Sequence, residues 1–208
     1  MVALAAALRL LVSAVLAAPD AAADAAALLA KAAAAYGDGS AHAAAFTQIY
    51  TPAGFATSRR ESGAVWIQAP QRLRFDYAAP EKKTYTYDAG EGRFFSPEDQ
   101  QLTIRKLSAD ERARLPLVFL EKPGDLAARY EIQGDAGGAV LLKPRAADSD
   151  LAWLKVVVGA SGLVESLSYE DTAGNRSEFR FESWKTEKAR PAADYRIAGP
   201  KGTRIVEN

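Results

Sequence analysis

Residues 63–77 read G-A-V-W-I-Q-A-P-Q-R-L-R-F-D-Y. Two short strands meet there at Ala69-Pro70-Gln71. In the second, Leu73, Phe75 and Tyr77 alternate with Arg72, Arg74 and Asp76. Side chains of a strand point to opposite faces with a period of two, so the apolar set shares one face and the charged set the other. The pattern describes a sheet with one wet face and one oily face. What the oily face covers is then the central question: its own core alone, or a guest's hydrocarbon as well.

The same period continues on both sides. Upstream, Ala44, Phe46, Gln48 and Tyr50 alternate until Thr51-Pro52-Ala53-Gly54 breaks the strand. Downstream, residues 84–88, 93–95 and 100–106 read as strands separated by Asp88-Ala89-Gly90 and Ser96-Pro97-Glu98-Asp99, with Leu102 and Ile104 on one face. Strands resume at residues 129–133 and 139–143. Residues 153–158 and 163–170 form a hairpin, and 176–184 follow the turn Asp171-Thr172-Ala173-Gly174-Asn175. One more strand is placed at 203–206 within a loop-rich tail. Strands about ten residues apart with turn chemistry between them indicate an antiparallel meander.

Two helices interrupt this pattern. Residues 24–36 carry Asp24 as a cap, a run of alanines and a stop at Gly37, with Leu28, Leu29, Ala32, Ala33 and Tyr36 on one side. Ser108-Ala109-Asp110-Glu111 resembles a capping box, followed by the apolar run Leu115-Pro116-Leu117-Val118-Phe119-Leu120 before Pro123. An apolar helix between two prolines in a β meander fits a lid on the oily face, or equally a buried crossover. Ahead of both lies an Ala/Leu/Val-rich segment with Arg9 as its single positive side chain. Its apolar core of about nine residues is too short to span a membrane and suits a leader peptide. Ala21-Ala22-Ala23 offers a cleavage site. Residues 1–23 are therefore read as a signal peptide and 24–208 as a single domain. The expected fold is mainly β (α+β): an unclosed antiparallel β-barrel of about eleven strands, with a helical lid over the concave hydrophobic face.

Composition narrows the function. Lys+Arg 26 balance Asp+Glu 26, so no basic excess exists to neutralise a nucleic-acid backbone. The absence of cysteine excludes disulfides, thiol catalysis, thiolate metal sites and a lipid-modified N-terminal cysteine. His42, in Ala41-His42-Ala43-Ala44-Ala45, is the sole histidine and reads as an exposed one. Arg59-Arg60 and Lys82-Lys83 read as solvated turn charges. No catalytic, metal or cofactor constellation stands out.

What remains is apolar surface. Phe46, Trp66, Leu73, Phe75, Tyr85, Phe94, Leu102, Trp153 and Phe179 recur along the strands and are the candidate acyl-chain-binding residues. Val65 and Ile67 compete with Trp66 for the inner face. Burying a fatty chain is worth roughly 0.8 kcal/mol per methylene. A carrier of acylated cargo therefore needs a cavity and a cover, here Leu117, Val118, Phe119 and Leu120, but no catalytic group. The alternative is a half-barrel filled by its own side chains that binds a partner protein, or another lipid, in a sensory or structural role.

The order of elements adds a resemblance. Phe46-Thr47-Gln48, Ser62-Gly63, Trp66-Ile67-Gln68-Ala69-Pro70, Leu73-Arg74-Phe75-Asp76-Tyr77 and Asp88-Ala89-Gly90-Glu91-Gly92 come in that sequence. Phe95-Ser96-Pro97, the apolar run before Pro123, Leu141-Leu142-Lys143-Pro144 and Tyr169-Glu170-Asp171-Thr172-Ala173-Gly174-Asn175 follow. The chain resembles the periplasmic outer-membrane lipoprotein carriers, the LolA family, across nearly all of its mature length. The resemblance implies a periplasmic, non-enzymatic monomer without stable membrane insertion. It implies acylated lipoproteins as cargo, received from an inner-membrane ABC transporter and handed to an outer-membrane acceptor. One position departs from the family pattern. Carriers of this kind place an arginine directly before the strand-joining proline, tying the lid down, where this chain has Ala69. Arg72 and Arg74 are the candidate substitutes, although Arg74 alternates onto the polar face.

Overall fold

The computed structural model describes residues 21–108, 112, 120, 125–134 and 137–207. The leader reading therefore falls outside the described residues but for its last positions. The first helix, α1 (Ala21–Tyr36), starts three residues ahead of the expected cap. Asp24 thus lies in its first turn, where a carboxylate meets the positive end of the helix dipole.

Among the described residues, twelve strands form a single sheet. They are β1 (Ala41–Thr51), β2 (Arg59–Gln68), β3 (Arg72–Ala79), β4 (Lys83–Asp88), β5 (Glu91–Ser96), β6 (Gln101–Lys106), β7 (Tyr130–Gly134), β8 (Ala139–Pro144), β9 (Leu151–Val158), β10 (Val164–Asp171), β11 (Arg176–Glu187) and β12 (Arg204–Glu207). Their order is β12-β6-β5-β4-β3-β2-β1-β11-β10-β9-β8-β7. Two antiparallel meanders, β1–β6 and β7–β11, thus lie side by side and join where β1 pairs with β11. The terminal strand β12 adds to β6 in parallel, which makes the sheet antiparallel in every pairing but one. The end strands β12 and β7 do not pair, so the barrel stays unclosed.

The connection from β6 to β7 joins opposite ends of this sheet. Within it Leu120 is buried, and Leu126 of the short helix α2 (Leu126–Arg129) is fully buried. Leu117, Val118 and Phe119 of the expected lid lie outside the described residues.

The oily face is a continuous core. Phe46, Val65, Ile67 and Phe75 from one meander meet Val140, Leu154, Val156, Leu167 and Phe179 from the other. Ala25, Leu29, Ala32 and Tyr36 of α1 are all buried against it. The helix packs on β7, β8 and β9, and its small side chains permit that close approach. Tyr36 accepts a 3.2 Å hydrogen bond from the Val164 N–H, and Lys31 donates to the Ala160 carbonyl at 2.8 Å. One half of the inner face is therefore covered by α1. The half formed by β1–β4, β10 and β11 has no helix over it among the described residues.

The outer face is covered in part by the chain's own tail. The 3-10 helix Ala192–Tyr195 packs on β3 and β4 and buries Tyr195. Arg74 donates to the Asp194 carbonyl at 2.8 Å, and Arg93 to the Ile197 carbonyl at 2.9 Å.

Candidate functional site

The half of the inner face that α1 does not cover holds a cavity of about 230 Å³. Its floor is built by period-two alternation. Ile67 on β2, Leu73 and Phe75 on β3 and Tyr85 on β4 share one face because Ile67 pairs with Leu73, Val65 with Phe75, and Phe75 with Tyr85. Phe179 on β11 closes the side, with its ring 5.6 Å from that of Phe75. Phe46 is buried beneath, edge-on to both Phe75 and Tyr77 at 5.0 Å. Edge-to-face pairs of this kind add about 0.5–1.5 kcal/mol each beyond area burial, so the floor is stiff. Leu120, from the β6–β7 connection, completes the lining.

The two ends of the cavity differ. At the β2–β3 hairpin it is bordered by Ala69, Pro70 and Arg72. Arg72 is held by Asp88 at 3.1 Å, a carboxylate that also takes Arg196. At the far end lies a polar relay. Tyr77 donates to Gln48 Oε1 at 2.7 Å, and Gln48 Nε2 donates to Ser177 Oγ at 3.4 Å. Tyr169 hydrogen-bonds to the same serine. Beside the relay, Lys83 pairs with the buried Glu61 at 2.6 Å and sits 4.5 Å above the Tyr77 ring. Burial raises the phenols of Tyr77, Tyr85 and Tyr169 above the usual range, so they stay neutral hydrogen-bonding groups.

The structure sorts the nine sequence candidates. Leu73, Phe75, Tyr85 and Phe179 line the cavity, and Phe46 supports it. Phe94 pairs with Tyr85 and so shares its face, but lies beyond the cavity and is exposed. The other three face the opposite way. Trp66 pairs with Arg74, and its ring has Arg74 and Arg190 within 6.0 and 4.8 Å, so Val65 and Ile67 take the inner positions. Trp153 pairs with Glu170 and carries Arg176 5.3 Å over its ring. Leu102 pairs with Phe95, out of phase with Phe94, and is buried outside the inner core. Size and apolarity suggested these three; the pleat decides otherwise.

Sequence reasoning missed Gln48, Tyr87 and Tyr169 as lining residues. The signal was present: Gln48 lies two residues from Phe46, Tyr87 two from Tyr85 and Tyr169 two from Leu167. The amide of Gln48 kept it off an apolar list; Tyr87 and Tyr169 carry the same side chain as Tyr85 and were readable by the same alternation. Two more readings are corrected. His42 is buried, edge-on to Tyr36 at 5.0 Å and 3.5 Å from Asp38. Lys83 is the partner of Glu61 rather than a solvated charge.

A family model for the outer membrane lipoprotein carrier protein LolA matches residues 39–197. The chain belongs to the LolA family. Its relatives are distant. An outer-membrane lipoprotein carrier protein of Xanthomonas campestris pv. campestris (strain B100) is 28% identical over 167 residues, covering 77% of this chain and 79% of the relative. One from Pseudomonas fluorescens (strain Pf0-1) is 26% identical, covering 78% and 80%. Among solved structures, an uncharacterized conserved protein from Thermus thermophilus aligns with a TM-score of 0.54 at 12% identity, covering 88% of this chain and 98% of that one. That likeness establishes a shared fold. Within this LolA-family fold, no helix among the described residues is long and apolar enough to cross a membrane.

Proposed function

We propose that this protein is a periplasmic carrier that shields the acyl chains of lipoproteins in its cavity between the inner and outer membranes. The observation that carries the reading is the aromatic-floored cavity on the half of the inner face that α1 leaves uncovered. Family membership and the names of the relatives support it. Residues 1–23 act as the export signal, and residues 24–208 form the carrier. An ABC transporter of the inner membrane supplies the cargo, and an outer-membrane acceptor removes it by tighter binding.

Size shapes the mechanism. About 230 Å³ falls below the roughly 300–1,000 Å³ of pockets that engulf drug-sized ligands. A full acyl chain therefore enters only as Leu120 leaves. The segment around residues 117–120 is read as the movable cover, and acyl methylenes take the place of Leu120 in the lining it shares with Phe75 and Phe179. Ala69 stands at the hairpin end of the cavity without a charge to clamp that cover, while Arg72 is engaged with Asp88.

The test is titration of the folded protein with a palmitoylated peptide, followed by bis-ANS displacement. Saturable displacement is expected. A protein with native circular dichroism that shows no saturable displacement overturns the proposal.

A further inference from the structure

Of the phenols around the cavity, Tyr85 stands apart. Tyr77 and Tyr169 are both committed to the Gln48–Ser177 relay. The Tyr85 hydroxyl lines the cavity and has no hydrogen-bond partner among the described residues. Diagonal to it on β5 is Gly92, where an added Cβ would lie 3.5 Å from the hydroxyl oxygen. The absence of a side chain there leaves the hydroxyl uncovered. A half-buried donor without an acceptor is costly, and a guest that supplies one recovers that cost.

We propose that Tyr85 is a specificity-determining residue of the cavity, donating a hydrogen bond to the carbonyl oxygen of an acyl linkage. The chemistry of the surroundings selects a neutral acceptor. The floor is Phe75 and Phe179, apolar rings that do not compensate an anion, and the cation in the lining, Arg72, is already paired with Asp88. Burial keeps the phenol protonated as a donor, and the Arg105 charge offsets only part of that effect. An ester or amide carbonyl satisfies these conditions; a bare hydrocarbon does not use the hydroxyl. The inference rests on the carrier reading, because it assumes that acyl chains enter here.

Three peptides of one sequence test it: one with a palmitoyl ester on serine, one with a hexadecyl ether on the same serine, and one with a palmitoyl amide. The wild-type protein is expected to bind the carbonyl peptides about three- to tenfold tighter than the ether, the range of one net hydrogen bond. An advantage confined to ester or amide still supports the proposal and identifies the linkage. Tyr85→Phe should bring the ratio close to one by weakening the carbonyl peptides selectively. Gly92→Leu, which covers the hydroxyl from the neighbouring strand, should do the same. A ratio near one in the wild type, or one untouched by Tyr85→Phe, overturns the inference. Equal weakening of ether and ester by Tyr85→Phe also overturns it, since that is a packing effect. Failure of every peptide to bind saturably overturns the carrier reading itself.

Discussion

The Tyr77 hydroxyl donates a 2.7 Å hydrogen bond to Gln48 Oε1, joining β3 to β1 across β2 on the inner face. Leu73, on the same strand and face, lies at the opposite end of the cavity. Four residues of strand separate them, about 13 Å at the usual rise. The cavity is thus a trough with a polar head at Tyr77 and an apolar and cationic mouth at the β2–β3 hairpin.

That trough can be blocked without unfolding the protein. Leu73 is half-buried, whereas Phe75 sits within the aromatic cluster and is 8% exposed. Leu73→Glu should abolish acyl-peptide binding and leave the melting temperature within a few degrees. Phe75→Glu buries a carboxylate among rings and should lower stability sharply as well. Trp66→Phe and Trp153→Phe, on the outer face, should bind as the wild type does. Binding lost in either tryptophan variant, with the fold intact, would refute the face assignment.

Glu61 is almost fully buried and has Lys83 as its counter-ion. Lys83→Met leaves that charge uncompensated and should cost about 3–5 kcal/mol. The double change Lys83→Met with Glu61→Leu should cost much less, because no charge is then stranded. Denaturant midpoints of the four proteins give the coupling energy directly.

Alkaline pH should act through the tyrosines. Burial raises the phenol pKa of Tyr36, Tyr77, Tyr85 and Tyr169 above the ordinary 10.0, and pushes Tyr195 up to about 12. A folded-state pKa above the unfolded one contributes stability that is complete below pH 10 and is lost as pH rises towards the folded values. Phenolate absorbance should therefore show these five of the eight tyrosines resisting ionisation until the far-ultraviolet circular dichroism collapses. Smooth titration of all eight near the ordinary value, with the fold retained, would refute the burial pattern.

Gly63 lies on β2 with the β3 backbone hard against its Cα. A Cβ there would stand 2.0 Å from the Asp76 carbonyl oxygen, a backbone atom that cannot swing away. Gly63→Ala should destabilise by about 1–3 kcal/mol through overpacking. A thermal melt indistinguishable from wild type would show that the strand pair yields.

Much of this molecule was legible in its residues. The alternation of Leu73, Phe75 and Tyr77 with Arg72, Arg74 and Asp76 determined a two-faced sheet and the face on which Leu73, Phe75 and Tyr85 stand, since strand geometry allows no other phase. Turn chemistry at Asp88-Ala89-Gly90 and Asp171-Thr172-Ala173-Gly174-Asn175 determined where strands end. Tertiary structure alone decided which half of that face α1 covers, and so where a cavity is left. It also decided that Trp66, Trp153 and Leu102 look outwards, that His42 is buried, and that Gln48, Ser177 and Tyr169 meet. The outward faces of Trp66, Trp153 and Leu102 follow from register with the neighbouring strand, whereas the meeting of Gln48 with Ser177 depends on pairing between strands more than a hundred residues apart, β1 with β11, and local periodicity carries no information about the partner across the sheet.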